Sequence, residues 1–122
     1  MPKYKKKTEE HKVIARRRIE TLFFEAEKAT LRYANRYVQL ARKLSMKYKV
    51  RIPPALKRTF CKHCHVYLRP GVSCRVRLND SKVVYYCLSC KKYTRYPYVR
   101  EQKEKRRIAL ARRKVHKNIE PA

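Results

Sequence analysis

The sequence is poor in acids: nine Asp and Glu stand against 35 Lys and Arg, and the net charge is +26. An isolated compact form of such a chain repels itself, so the composition calls for an anionic partner. No apolar run approaches the roughly 20 residues that cross a bilayer. Segment 1–12 is polar and basic and lacks the apolar stretch of a signal peptide. The expectation is a soluble, cytoplasmic protein with no membrane partner. At 122 residues there is no room for a large enzyme core. No internal repeat is visible. Glycine is almost missing as well: the one glycine, Gly71, follows Pro70 and marks a turn. Between Lys3 and Ile52 there is neither proline nor glycine, so nothing there interrupts a helix.

That uninterrupted stretch is where apolar and aromatic residues recur in steps of three and four. They run through Ile19, Leu22, Phe23, Ala26, Thr30, Tyr33, Ala34, Tyr37, Leu40, Ala41, Leu44 and Tyr48. One straight helix of that length would expose its whole stripe, so the pattern predicts a break near Ala29 to Leu31, with Thr30 capping the second helix. Thr8, Glu9 and Glu10 suit the positive end of the first. Pro53 and Pro54 close the helical region. Beyond Arg58 the texture changes to β-branched and aromatic runs. Val72 to Leu78 and Lys82 to Cys87 read as a β-hairpin turned by Asn79, Asp80 and Ser81. After Pro97 charge dominates, and only Ile108, Leu110 and Val115 offer an anchor, so the end reads as a helical or disordered basic tail. The divisions are 1–50, a helical arm for a protein partner; 51–59, a linker; 60–98, a ribbon; and 99–122, the tail.

Five cysteines, an odd number in a chain of intracellular character, argue against a disulfide framework. Four of them form two Cys-x2-Cys pairs, Cys61 with Cys64 and Cys87 with Cys90. Two thiolates from one tight turn span one edge of a tetrahedron, and the hairpin brings the second pair back to complete it. The pattern predicts one structural zinc ion. A ribbon of about 40 residues buries little apolar surface, and zinc in such sites contributes on the order of 10–16 kcal/mol, so the metal decides whether the ribbon folds. His63 and His65 flank Cys64, but four cysteines leave neither necessary. Cys74 lacks a partner at chelating spacing and reads as a small strand side chain. Four thiolates close the coordination shell, which leaves no open position for hydrolysis. No βαβ pattern supports a redox role.

Around the ribbon Arg69, Arg75, Arg77, Lys82, Lys91, Lys92 and Arg95 interleave with tyrosines, of which Tyr93 and Tyr96 are the candidates to contact RNA alongside the cations. Cations meet phosphates and tyrosines stack on unpaired bases, or else the tyrosines pack over the ribbon and the charges are solvated. Strand alternation puts Arg75 and Arg77 on one face and Val76 and Leu78 on the other, the second face being the expected core. In the arm, two helices alone bury too little, so Leu22, Phe23, Tyr33, Tyr37, Leu40 and Leu44 are expected to complete their core against a protein partner.

A basic two-helix arm, a proline-marked linker, the Cys61/Cys64 and Cys87/Cys90 ribbon and a basic tail together resemble the zinc-ribbon protein subunits of archaeal and eukaryotic ribonuclease P, the ribonuclease P protein component 4 family. The likeness covers almost the whole chain and rests most on Arg16-Arg17-Arg18-Ile19-Glu20-Thr21-Leu22-Phe23 and Cys87-Leu88-Ser89-Cys90-Lys91-Lys92, with no departure at the four ligand positions. The resemblance implies a small α+β fold: two N-terminal α-helices, then a four-cysteine zinc ribbon with a short antiparallel sheet, then the basic tail. It implies an accessory, RNA-binding subunit of the enzyme that removes the 5′ leader of precursor tRNA, with catalysis carried by an RNA subunit and its magnesium. It also implies ribonuclease P RNA and precursor tRNA as partners, together with a second, barrel-like protein subunit held by the helical arm. The chain is then part of an enzyme without being catalytic. A ribosomal or ribosome-associated ribbon, and a transcription-type ribbon on polymerase or DNA, are the alternatives.

Overall fold

The structure is a computed structural model that describes residues 8–117. Helices α1 (Glu9–Lys28) and α2 (Leu31–Tyr48) pack side by side, and the break between them falls where the apolar spacing places it. Glu9 and Glu10 lie in the first turn of α1 and Lys28 in its last, each matching the sign of the helix dipole there. Thr30 holds the N-cap position of α2 in extended conformation but makes no side-chain cap bond. The break is satisfied from the other side. Arg69, far along the chain, donates from Nη2 to the carbonyls of Ala29 at 2.8 Å, Glu27 at 3.2 Å and Ala26 at 3.5 Å. These groups crowd the end of α1, where helical carbonyls run out of intrahelical partners.

Helix α2 stops at Lys49, which takes a left-handed conformation at φ 53, while Ser45 donates its hydroxyl to the Val50 carbonyl at 2.6 Å. The 51–59 stretch is not plain linker. Pro53 and Pro54, which end the first helical region, also open a one-turn helix, α3 (Pro54–Lys57), because proline at the first helical position lacks only an N–H that has no partner there. Three strands follow as one antiparallel sheet in the order β1 (Cys74–Asn79), β2 (Lys82–Cys87), β3 (Tyr93–Pro97). Asp80 and Ser81 turn the first hairpin with φ of 45° and 58°, two consecutive left-handed residues, which a two-residue turn between right-twisted strands requires. The third strand adds to the expected hairpin. Helix α4 (Val99–Lys117) follows the sheet. Its would-be anchors Ile108, Leu110 and Val115 are all exposed. Positions 118–122 of the expected tail lie outside the described residues. Among the described residues no helix is long and apolar enough to cross a membrane.

The main core joins arm and ribbon. Ala15, Ile19, Phe23 and Ala26 of α1 and Ala34, Val38 and Ala41 of α2 are buried together with Val50, Ile52, Phe60 and Tyr67. Small alanines let the helices approach closely, and the rings of Phe23 and Phe60 stack with centroids 5.7 Å apart. Asn35 of α2 accepts the Tyr67 N–H at 2.8 Å. The chain's own ribbon thus completes much of the helical core that the sequence alone assigns to a partner. A second, smaller cluster is Cys61, Leu68, Cys74 and Cys87. It holds no Val76 and no Leu78. Those side chains are 37% and 71% exposed, whereas Cys74, Cys87 and Tyr85 on the same face form or pack against the cluster, so the face expected to be core is buried at its cysteine end and open toward the hairpin turn.

Candidate metal centre and nucleic-acid interface

Each Cys-x2-Cys segment builds the same turn. His65 N–H donates to the Cys61 carbonyl at 3.1 Å and Lys91 N–H to the Cys87 carbonyl at 2.9 Å; Cys61 N–H reaches the Val66 carbonyl at 2.8 Å and Cys87 N–H the Lys92 carbonyl at 3.1 Å. The residue after each second cysteine is left-handed, His65 at φ 61 and Lys91 at φ 56. This reversal folds both thiols of a pair toward one point. The β2 strand carries the second turn back to the first, and the four Sγ atoms come within 4.8 Å of one another. The cross-pair separations are 3.6 Å for Cys61 to Cys90 and 3.5 Å for Cys64 to Cys87. A tetrahedron with metal–sulfur bonds of about 2.3 Å has sulfur–sulfur edges of about 3.8 Å, so the cage matches a metal-sized centre.

The electrostatics fit the same reading. Burial pushes the Cys61 thiol up, but backbone N–H groups of Cys64 and His63 and the neighbouring sulfurs outweigh it and bring its pKa down to about 7. Cys64 is pushed up to about 12, by burial first and then by the sulfurs of Cys61, Cys87 and Cys90. Backbone N–H groups thus favour a thiolate at Cys61, while burial and neighbouring sulfurs oppose a further negative charge at Cys64. A bound cation removes that resistance, so the four cysteines are positioned to bind a metal ion. Cys74 is buried beside the cluster, opposite Cys87 in the strand register, and lies outside the four-sulfur group. His63 is exposed, while His65 turns its ring to Phe60 with centroids 6.4 Å apart and leaves a buried Nδ1 without a hydrogen-bond partner.

The sheet separates the expected RNA contacts. Register pairs Arg75 with Tyr86 and Tyr86 with Tyr93, and Arg77 with Val84 and Val84 with Arg95. Directly paired residues share a face, so Arg75, Arg77, Tyr93 and Arg95 stand together, and Lys82 joins them at the turn. Arg75, Arg77, Val84, Tyr86 and Tyr93 line a shallow depression of about 210 Å³. The rings of Tyr86 and Tyr93 are 4.8 Å apart and the Arg95 guanidinium stands 5.6 Å over Tyr93. Tyr86, one of the tyrosines interleaved with the ribbon cations, joins Tyr93 on this face, as its period-two spacing from Lys82 and Val84 requires. Lys91 and Lys92 are exposed just beyond the second cysteine pair.

Two of the residues expected to contact RNA lie off this face. Tyr96 lies on the opposite face, paired with Val83. Arg69 is engaged with the end of α1 and stands 5.7 Å over the Tyr67 ring, so its cation serves the junction of arm and ribbon.

On the arm, Leu22, Leu40 and Leu44 meet in a groove of about 450 Å³ between α1 and α2, edged by Arg18, Lys43 and Lys47. Tyr33 is exposed and Tyr37 packs at the core margin, neither lining this groove. Phe23 is 4% exposed and stacked on Phe60, which removes it from any partner surface.

Comparison with known proteins adds independent findings. The family model for the RNAse P Rpr2/Rpp21/SNM1 subunit domain matches residues 5–91. Ribonuclease P protein component 4 of Thermococcus kodakarensis is 47% identical over 111 residues, covering 86% of this chain and 84% of that protein. Its counterpart in Pyrococcus horikoshii is 50% identical over 107 residues, covering 82% and 88%. A chain in the cryo-EM structure of archaeal ribonuclease P with mature tRNA superimposes with a TM-score of 0.64 at 39% identity, over 93% of this chain and 98% of that one.

Proposed function

From the premise that this chain belongs to the RNAse P Rpr2/Rpp21/SNM1 subunit family, we propose how its surfaces serve ribonuclease P. The chain is an accessory, RNA-binding protein subunit of that enzyme, which removes the 5′ leader of precursor tRNA. It works as part of the holoenzyme, and cleavage falls to the RNA. The observation that carries the reading is the β-sheet face on which Arg75, Arg77, Lys82 and Arg95 surround the Tyr86–Tyr93 ring pair. Cations on a stiff sheet offset repulsion between phosphates and hold the RNA in the form that binds substrate. The exposed Tyr93 ring, backed by the half-buried Tyr86, stacks on bases that leave a helix.

The ion in the four-cysteine cage is zinc, held by Cys61, Cys64, Cys87 and Cys90. Tetrahedral thiolate coordination suits it, and a closed shell makes it a fold organiser rather than a reagent. The groove of Leu22, Leu40 and Leu44 receives the second, barrel-like protein subunit. Its apolar floor suits an apolar partner surface, and Arg18, Lys43 and Lys47 favour one with acidic edges.

The test is the double change Arg75→Ala and Arg77→Ala in the reconstituted particle. Binding of precursor tRNA and of the RNA subunit should weaken, with the slope of log affinity against log salt falling by up to about two phosphate contacts. KM for precursor tRNA should rise with kcat little changed, as expected when binding common to ground and transition states is lost. An unchanged slope and KM would return both arginines to solvent.

A further inference from the structure

The side of the ribbon opposite the Arg75–Arg77 face carries a cleft of about 480 Å³, lined by Pro54, Lys57, Arg58, Phe60, Lys62 and Tyr96. Three separate pieces build it: α3, the approach to the first cysteine pair, and β3. Its floor is apolar and aromatic, and its rim is cationic. Tyr96 is held edge-on against Tyr85 at 5.7 Å, so its ring plane is set, and the Arg58 guanidinium lies 5.1 Å over that ring. Neither Lys57, Arg58 nor Lys62 forms an ion pair with an acid among the described residues. No carboxylate lines the cleft, so three positive charges converge on an open aromatic hollow without a countercharge.

An anion alone would need no aromatic floor, and an apolar peptide would gain nothing from three surrounding cations. A nucleotide uses both, because its base has a π-face and its phosphates carry charge. A duplex keeps its base faces stacked inside, so the ligand must be single-stranded. We propose that this cleft binds one unpaired RNA base, stacked against the Arg58–Tyr96 pair, with the flanking phosphates on Lys57 and Lys62. The ribbon then grips RNA from both sides, by its sheet face and by this cleft. The proposal rests on the RNA-binding reading above, but it depends on different residues on the other face.

The zinc-loaded full chain is titrated with a labelled, unstructured purine-rich RNA of about eight nucleotides and with the same RNA made abasic, the range over which small modules engage single strands. The chain should prefer the intact RNA by about ten-fold, the scale of one stacked base. Tyr96→Leu should reduce that preference several-fold, Tyr96→Phe should keep it, and Lys57→Ala with Lys62→Ala should lower the salt slope by about 1.4, roughly 0.7 for each lost phosphate contact on a single strand. Zinc content is measured for each variant; if Tyr96→Leu loses metal, the exposed Arg58→Ala carries the same comparison. Equal affinity for intact and abasic RNA, or an undiminished preference in Tyr96→Leu, overturns the cleft. Displacement of RNA by an acidic peptide with no base preference overturns it in favour of a protein ligand. If Arg75→Ala with Arg77→Ala still weakens binding in those cases, the cleft fails alone; if that double variant is silent too, the RNA reading falls with it.

Discussion

Arg69→Ala separates two roles that the sequence does not distinguish, phosphate contact and structural clamp. One guanidinium nitrogen faces three carbonyls but carries only two hydrogens, so at most two good bonds form, and the 2.8 Å and 3.2 Å contacts to Ala29 and Glu27 are the better placed. A hydrogen bond from a charged donor contributes roughly 1.5–3 kcal/mol, and a cation at a helix C-terminus adds about 0.3–1 kcal/mol. The side chain is half-buried and the two bonds share one group, so the sum belongs at the low end, about 2–3 kcal/mol. For a domain of this size each kcal/mol moves the midpoint by roughly 4 °C. Thermal unfolding of the zinc-saturated chain, followed by circular dichroism, should therefore fall by about 8–12 °C. Lysine at this position restores the charge but not the fork and should recover only part of the loss. The salt slope of RNA binding should stay where it was. A melting midpoint within about one degree of the parent, combined with a slope lower by about 0.9, would refute the clamp and make Arg69 a phosphate ligand.

Three further outcomes follow from the metal centre and the groove. Chelation should abolish the dispersed NMR signals of the ribbon and also loosen α1 and α2, because Phe60 and Tyr67 leave the shared core with it; a ribbon that keeps its spectrum without metal would refute a structural ion. Cys87→Ala should lose the metal, whereas Cys74→Ala, buried but outside the sulfur cage, should retain one ion per chain by elemental analysis at a stability cost of about 1 kcal/mol. Leu40→Asp places a charge on the apolar floor of the arm groove and should weaken pairing with the second protein subunit by roughly 2 kcal/mol or more, about thirty-fold, with zinc content unchanged. Unaltered pairing in a calorimetric titration would remove the groove from the interface.

The clearest sequence signals are those whose chemistry lies within a few residues. Two Cys-x2-Cys pairs specify a metal cage because each pair is a local turn, and the hairpin that returns the second is itself a short-range structure. The three-and-four spacing places both helices and the break between them. Period-two alternation puts Arg75 and Arg77 on one face whatever surrounds the strand. Long-range packing decided what those patterns leave open. Phe23 and Leu22 are neighbours on one apolar stripe, yet Phe23 meets Phe60 inside while Leu22 faces a groove, because the ribbon docks over one side of the helix pair only. Alternation separates Val76 and Leu78 from the arginines but cannot say that burial on their face stops at Cys74, Cys87 and Tyr85 and leaves Leu78 exposed. Arg69 carries the same charge as Arg75 and differs by lying against the end of α1, across some 40 residues of chain. Lys57, Arg58, Phe60 and Lys62 lie some 35 residues from Tyr96 with no shared period, and only the folded chain brings them to one cleft. Local spacing thus determines elements and ligands, whereas the exposure and partners of a side chain depend on which surfaces meet, and that is settled only when the whole chain has folded.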